Sequence, residues 1–128
     1  MDAISAWQSQ GVALFVSSIT LAEWLQGAQA VKDAGKRARA RRFYDDVLGR
    51  LPVQPLTESD AIEYGRAVGE LRAKGITIDF ADGLIGCQAL QRGDAVATLN
   101  TAHFSLIPGL EVVSPNVKAP GDDAEGSK

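Results

Sequence analysis

The spacing of apolar and polar residues changes several times along the chain, and each change marks an element. Residues 12–19, "VALFVSSI", are apolar with little alternation, as a strand covered on both faces requires. Before them, residues 3–10 form a short helix carrying Trp7 and ended by Gly11. After them, 20–35 reads as a helix with Thr20 as N-cap and Gly35 as its stop. A further helix over about 36–50 begins "KRARARR" and turns Phe43, Val47, Leu48 and Leu51 inward. "LPVQPL" (51–56) holds two prolines and is at most a short edge strand. Residues 57–75 give the clearest helix, with Ala61, Tyr64, Val68 and Leu71 on one stripe and Gly75 at its end. A last helix spans 80–92 and closes at Gly93, followed by strands at 95–99 and 110–113. The tail, 116–128, has little to bury and is expected to be disordered.

Strands interleaved with helices predict a three-layer α/β/α sandwich with a mostly parallel sheet, a single domain over residues 1–115. In such sheets, binding sites gather beyond the carboxyl ends of the strands, which is where Glu23, Asp82 and Asn100 fall. The net charge of −3 over 128 residues gives no overall attraction to nucleic acid or anionic membrane, so any such affinity needs a local patch. Cys87 is the sole cysteine; it rules out an intrachain disulfide and fits a small buried side chain in a reducing compartment. The N-terminus lacks the basic start of a signal peptide, and its apolar run is too short to span a bilayer, so a cytoplasmic protein is expected.

Two acids stand out in "ITIDFADGLIGCQAL" (76–90), at the mouth of a helix that is otherwise small and apolar. Either Asp79 or Asp82 could cap that helix and gain from its dipole. One cap suffices, however, and Asp82 lies a turn inside, next to glycines that allow close packing against the sheet. Glu23 has its own structural account: "TLAE" matches a capping box beginning at Thr20, and read alone the motif favours that role. Taken together, Glu23 follows one buried strand, Asp82 precedes a second, and Asn100 ends that second strand. If the strands are neighbours, the three converge. Two adjacent carboxylates repel, and one must take up a proton unless a cation lies between them. A hard divalent ion removes the conflict, since Mg²⁺ is held by one or two carboxylates with water and phosphate oxygens.

"SSITLAEWLQGA", "DFADGLIGCQAL" and "VATLNTAHFSLIPGLEVVSP" resemble, in order and spacing, the successive motifs of PIN-domain ribonucleases, specifically the VapC toxins of type II toxin–antitoxin pairs. The resemblance covers about residues 3–115. It implies a Mg²⁺- or Mn²⁺-dependent endoribonuclease that cuts structured RNA such as tRNA or rRNA and is restrained by a VapB-like antitoxin. The family's metal-site glutamate falls on Glu23 and the aspartate of its late helix on Asp82, while Thr98 and Asn100 match its Thr-x-Asn. Asp79 is off the motif and is assigned to an outer shell or a cap. The family's first strand, which ends in an aspartate and is central in the sheet, has no counterpart in these residues, so that either the true start lies upstream or this is a truncated form. Asp2 precedes a helix and does not take that aspartate's place. Loss of a central strand would cost ~1 kcal/mol for each missing hydrogen bond, a gap that a partner strand, dimerisation or rearrangement could fill.

The chain also departs from the family at His103, where many relatives carry an acid; a loop histidine, or one that touches phosphate, fits the position. Lys36, Arg37, Arg39, Arg41 and Arg42 form the basic cluster, partly offset by Asp45 and Asp46. It reads equally as a solvated helix face and as an RNA or antitoxin contact, because each arginine can grip a phosphate with two hydrogen bonds. Trp7 and Trp24 are assigned to the core or to a homodimer contact. Two other classes compete with the nuclease. One is a catalytically impaired PIN-like remnant that only binds an antitoxin. The other is a metal-dependent phosphatase, for which neither a Gly-rich phosphate loop nor a nucleophilic aspartate motif is present.

Overall fold

Cys87, at 0% exposure, marks the centre of the fold. The computed structural model describes residues 3–115; Asp2 and the tail 116–128 lie outside the described residues. The chain runs α1 (Ala3–Ser9), β1 (Val16–Ser17), α2 (Ser18–Ala30), α3 (Ala34–Asp46), a 3₁₀ turn (Leu48–Arg50), β2 (Val53–Gln54), α4 (Glu58–Ala73), α5 (Phe80–Arg92), β3 (Val96–Ala97), α6 (Thr101–Phe104) and β4 (Val112–Val113).

The core forms where α4 meets α5. Ala67 and Val68 of α4 pack on Cys87, with Tyr64 and Ile78 closing the edges. Small residues set the spacing. A Cβ on Gly83 would sit 2.7 Å from Tyr64 Cε1, and one on Gly86 would collide with Ile107 Cδ1 and lie 3.2 Å from Leu110 Cδ2. Gly86 thus seats the chain that follows β3, whose Phe104 and Ile107 are 4% and 2% exposed. The resulting burial is worth about 1.5–3 kcal/mol for each large apolar side chain.

The strands are parallel, as expected, and short. β1 pairs with β2 in the register Val16↔Val53, and β3 with β4 in the register Val96↔Val112. They form two separate two-stranded sheets, with no described segment hydrogen-bonded between them. Contacts from α5 reach both pairs. Gln88, 3% exposed, donates from Nε2 to the carbonyls of Gln54 (3.0 Å) and Pro55 (3.1 Å) beyond β2, while Val96 follows α5 directly through the left-handed Gly93 (φ 73°).

Helix ends explain where the observed elements differ from the apolar pattern. Only Val16 and Ser17 of the 12–19 run join a ladder, and Val12 and Phe15 remain 44% and 45% exposed. Ser17 ends the strand by capping α2: it is extended (φ −68°, ψ 143°) and its Oγ accepts from the Ile19 amide. Thr20 therefore lies inside the first turn of α2 and is not its cap, so the capping box with Glu23 does not form. Gly35 stops no helix either. α2 ends at Ala30, Asp33 caps α3 by accepting from the Lys36 amide (2.9 Å), and Gly35 sits in the first turn of α3. Phe43 is 44% exposed, because it turns toward Trp24 (5.9 Å between ring centroids) rather than the core. Tyr44 stacks on the same indole at 5.7 Å, so Trp24 joins α2 to α3. The stripe of α4 is confirmed at Val68 and Leu71, while Ala61 is exposed. Thr57 closes the N-terminus of α4 in a reciprocal box with Asp60, and Gly75 (φ 82°) follows its C-terminus.

Candidate metal centre

Asp79 and Asp82 divide two jobs at the start of α5. Asp79 is the cap, its Oδ2 accepting from the Asp82 amide at 3.3 Å. This satisfies one of the orphan N–H groups of the helix and leaves the Asp82 carboxylate free to face elsewhere. The Asp82 side chain is 19% exposed and points toward α6, where its Oδ2 lies 3.4 Å from His103 Nδ1. Glu23 comes from α2, one turn beyond Thr20.

Electrostatics tie Glu23 to this group. Its carboxyl is pushed above the ordinary glutamate range, first by partial desolvation and then by the negative charges of Asp82 and Asp79. Aspartates about sixty residues away in sequence thus act on Glu23 in the fold. Thr98 and Asn100 sit on the next turn of chain: Thr98 Oγ1 accepts from the Asn100 amide at 3.0 Å, and Asn100 opens α6 with no side-chain cap bond. Its amide group is therefore not consumed by the helix. It stands exposed beside the turn that carries His103.

Among the described residues, no three His, Cys, Asp or Glu side chains gather closely enough to cage a metal ion. What Glu23 and Asp82 offer is a pair of hard oxygen donors. That set fits Mg²⁺ or Mn²⁺, whose remaining positions are filled by water and phosphate oxygens, and does not fit a structural zinc site. Cys87 takes no part. It is fully buried, and desolvation raises its thiol above the ordinary range, which suppresses the reactive thiolate.

The basic cluster lies on α3. Arg37 spends its guanidinium on the Val31 carbonyl, with Nη2 at 2.6 Å, and so closes the end of α2. Arg41 pairs with Asp45 at 3.2 Å. Arg39 and Arg42 are exposed. Lys32, Arg37 and Arg41 line an open cleft of about 420 Å³. Two features of the site are not visible in sequence order: the spacer role of Gly86 beneath α6, and the pairing of His103 with Asp82. The available signal was a polar residue immediately before a phenylalanine that becomes buried.

Comparison with known proteins identifies the family of the fold. The PIN domain family model matches residues 1–110. The chain is 32% identical over 112 residues to ribonuclease VapC1 of Rickettsia felis, covering 88% of this chain and 83% of that protein. It is 33% identical over 113 residues to ribonuclease VapC of Rickettsia bellii, covering 88% and 84%. In structure it is similar to VapBC2 from Rickettsia felis bound to a promoter DNA fragment (TM-score 0.75, 27% identity, 87% and 80% of the two chains). It is also similar to DNA-bound VapBC from Salmonella typhimurium (TM-score 0.70, 31% identity, 79% and 74%). No helix among the described residues is long and apolar enough to cross a membrane. A family match over most of its length, relatives that are ribonucleases and a common fold place this chain in the PIN-domain family, among its VapC ribonuclease toxins.

Proposed function

We propose that this chain is a Mg²⁺- or Mn²⁺-dependent endoribonuclease that cuts structured RNA of the tRNA or rRNA class in the cytoplasm, and that a VapB-like antitoxin restrains it. The observation that carries the reading is that Glu23 on α2 comes within electrostatic reach of Asp82 on the contacting helix α5, so that the Glu23 carboxyl, already disfavoured by burial, is disfavoured further by the Asp82 charge. Neither Glu23 nor Asp82 serves as a helix cap, since Ser17 caps α2 and Asp79 caps α5. When bound, the divalent ion supplies an activated water and charge neutralisation for the phosphodiester. Glu23 and Asp82 would hold it, and Asn100 would orient a ligand water by its amide. Thr98 sets the Asn100 backbone, and Asp79 fixes the helix end on which Asp82 is mounted.

Arg39 and Arg42, exposed on α3, offer the local positive surface that a chain of net charge −3 needs in order to hold RNA or an acidic stretch of antitoxin. The relatives include VapBC assemblies, which supports an antitoxin partner of the same kind. A homodimer is part of the same proposal. The test is cleavage of structured RNA with Mg²⁺, with chelator, and by Asp82→Asn. Even residues that only support metal ligands are worth about 10–100-fold, so Asp82→Asn is expected to lose more than about a hundredfold. Equal cleavage by variant and parent would overturn the assignment. A second reading, an antitoxin-binding module without catalysis, is favoured by the two-carboxylate donor set, which is short of a full cage. Calorimetric titration with Mg²⁺ separates the two, since the binder gives no site-specific heat.

A further inference from the structure

α6 is one turn long, yet its position is tightly determined. Phe104 and Ile107, 4% and 2% exposed, are seated on Gly86 of α5, where a Cβ would collide with the Ile107 side chain. On the other side of the same turn, His103 carries a 62% exposed imidazole whose Nδ1 lies 3.4 Å from Asp82 Oδ2. A carboxylate only accepts hydrogen bonds, so a bond across this contact has Nδ1 as its donor, in the imidazolium and in the Nδ1-protonated neutral tautomer alike. Asp82 has no other side-chain partner among the described contacts, and Asp79 bonds to its backbone rather than to its carboxylate.

We infer that His103 is a positioning residue for Asp82. By donating from Nδ1 to one carboxylate oxygen, it fixes the Asp82 rotamer and would leave the second oxygen available to the cation. The buried Phe104 beside it is the anchor that makes this possible, because the imidazole can hold Asp82 only if its own backbone cannot move. This inference rests on the metal-site reading above and adds a residue to it. Partners that orient a ligating carboxylate or histidine are worth about 10–100-fold in metal affinity, which is the effect expected here.

The test measures Mn²⁺ affinity by calorimetry on the full chain for the parent, His103→Ala, His103→Asn, His103→Gln and Asp82→Asn, with thermal melts confirming that each variant folds. Asparagine keeps a donor at the place of Nδ1, whereas glutamine carries its amide one bond further out. The expected result is an affinity about tenfold weaker or worse for His103→Ala and His103→Gln, and recovered in His103→Asn. Unchanged affinity in His103→Ala overturns the inference while leaving Asp82 as a ligand. Recovery by glutamine and not by asparagine also overturns it. If the parent binds Mn²⁺ no better than Asp82→Asn, the metal-site reading itself falls and takes this inference with it.

Discussion

At the scale of single residues, the decisive feature is one carboxyl whose charge is disfavoured by burial first and by neighbouring aspartates second. Glu23 holds its proton more tightly folded than unfolded, because burial and the neighbouring aspartates disfavour its charge. A group of this kind adds stability only while protonated. Its contribution is complete below the unfolded glutamate range and is lost as pH rises through the higher folded pKa. At neutral pH the ionised Glu23 therefore opposes folding when no cation is present. Glu23→Gln should raise the Tm of the metal-free protein at pH 7, and the difference should shrink on acidification. Melts across pH check this; identical parent and variant curves at neutral pH would mean that the acids do not crowd one another. Glu23 and Asp82 were legible as candidates from residue type and place in the chain. His103 was legible as a loop histidine or a phosphate contact but not as a partner of Asp82, because that tie spans 21 positions and depends on how α6 is seated.

At the scale of elements, caps and glycines decide more than apolar periodicity does. Thr57 and Asp60 form a reciprocal box at the start of α4, with bonds of 3.1 and 2.9 Å. Thr57→Ala is expected to cost about 1 kcal/mol of stability and leave Mn²⁺ affinity unchanged, as measured by denaturant unfolding and calorimetry. Gly86→Ala is different in kind. Its methyl group meets Ile107, Leu110 and Phe104, which are confined by the core, so overpacking of about 1–3 kcal/mol is expected together with displacement of α6. If α6 carries a positioning residue, Mn²⁺ affinity falls as well; a destabilised protein with parental affinity would show that α6 does not matter to the site. The start of α2 at Ser17 could not be chosen from sequence, since Ser17, Ser18 and Thr20 are all competent caps. The choice was made by the ladder: Val16 donates to the Pro52 carbonyl and Ser18 Oγ accepts from the Leu56 amide, so pairing with β2 ends the strand there.

At the scale of the whole molecule, the proposed site draws its residues from α2, α5 and α6, with α5 in contact with both of the others, and a ligand held there must stabilise the fold that brings them together. Mg²⁺ or Mn²⁺ at a hundred times its Kd is expected to add about 2.7 kcal/mol, seen as a rise in Tm that chelator reverses and Asp82→Asn abolishes. An equal shift in Asp82→Asn would place the ion elsewhere. The sequence by itself determined the alternation of helices with parallel strands, the helix stops at Gly75 and Gly93, the buried Cys87 and the pair of acids worth examining. All of these follow from local periodicity, backbone sterics or the cost of charge, which act over a few residues. Only the tertiary structure decided that the ladders are two residues long in two separate pairs, that Asp79 caps while Asp82 stays free, and that His103 reaches Asp82. Those outcomes depend on which of several equivalent local partners is brought within hydrogen-bond reach, and that is set by packing between segments distant in the chain.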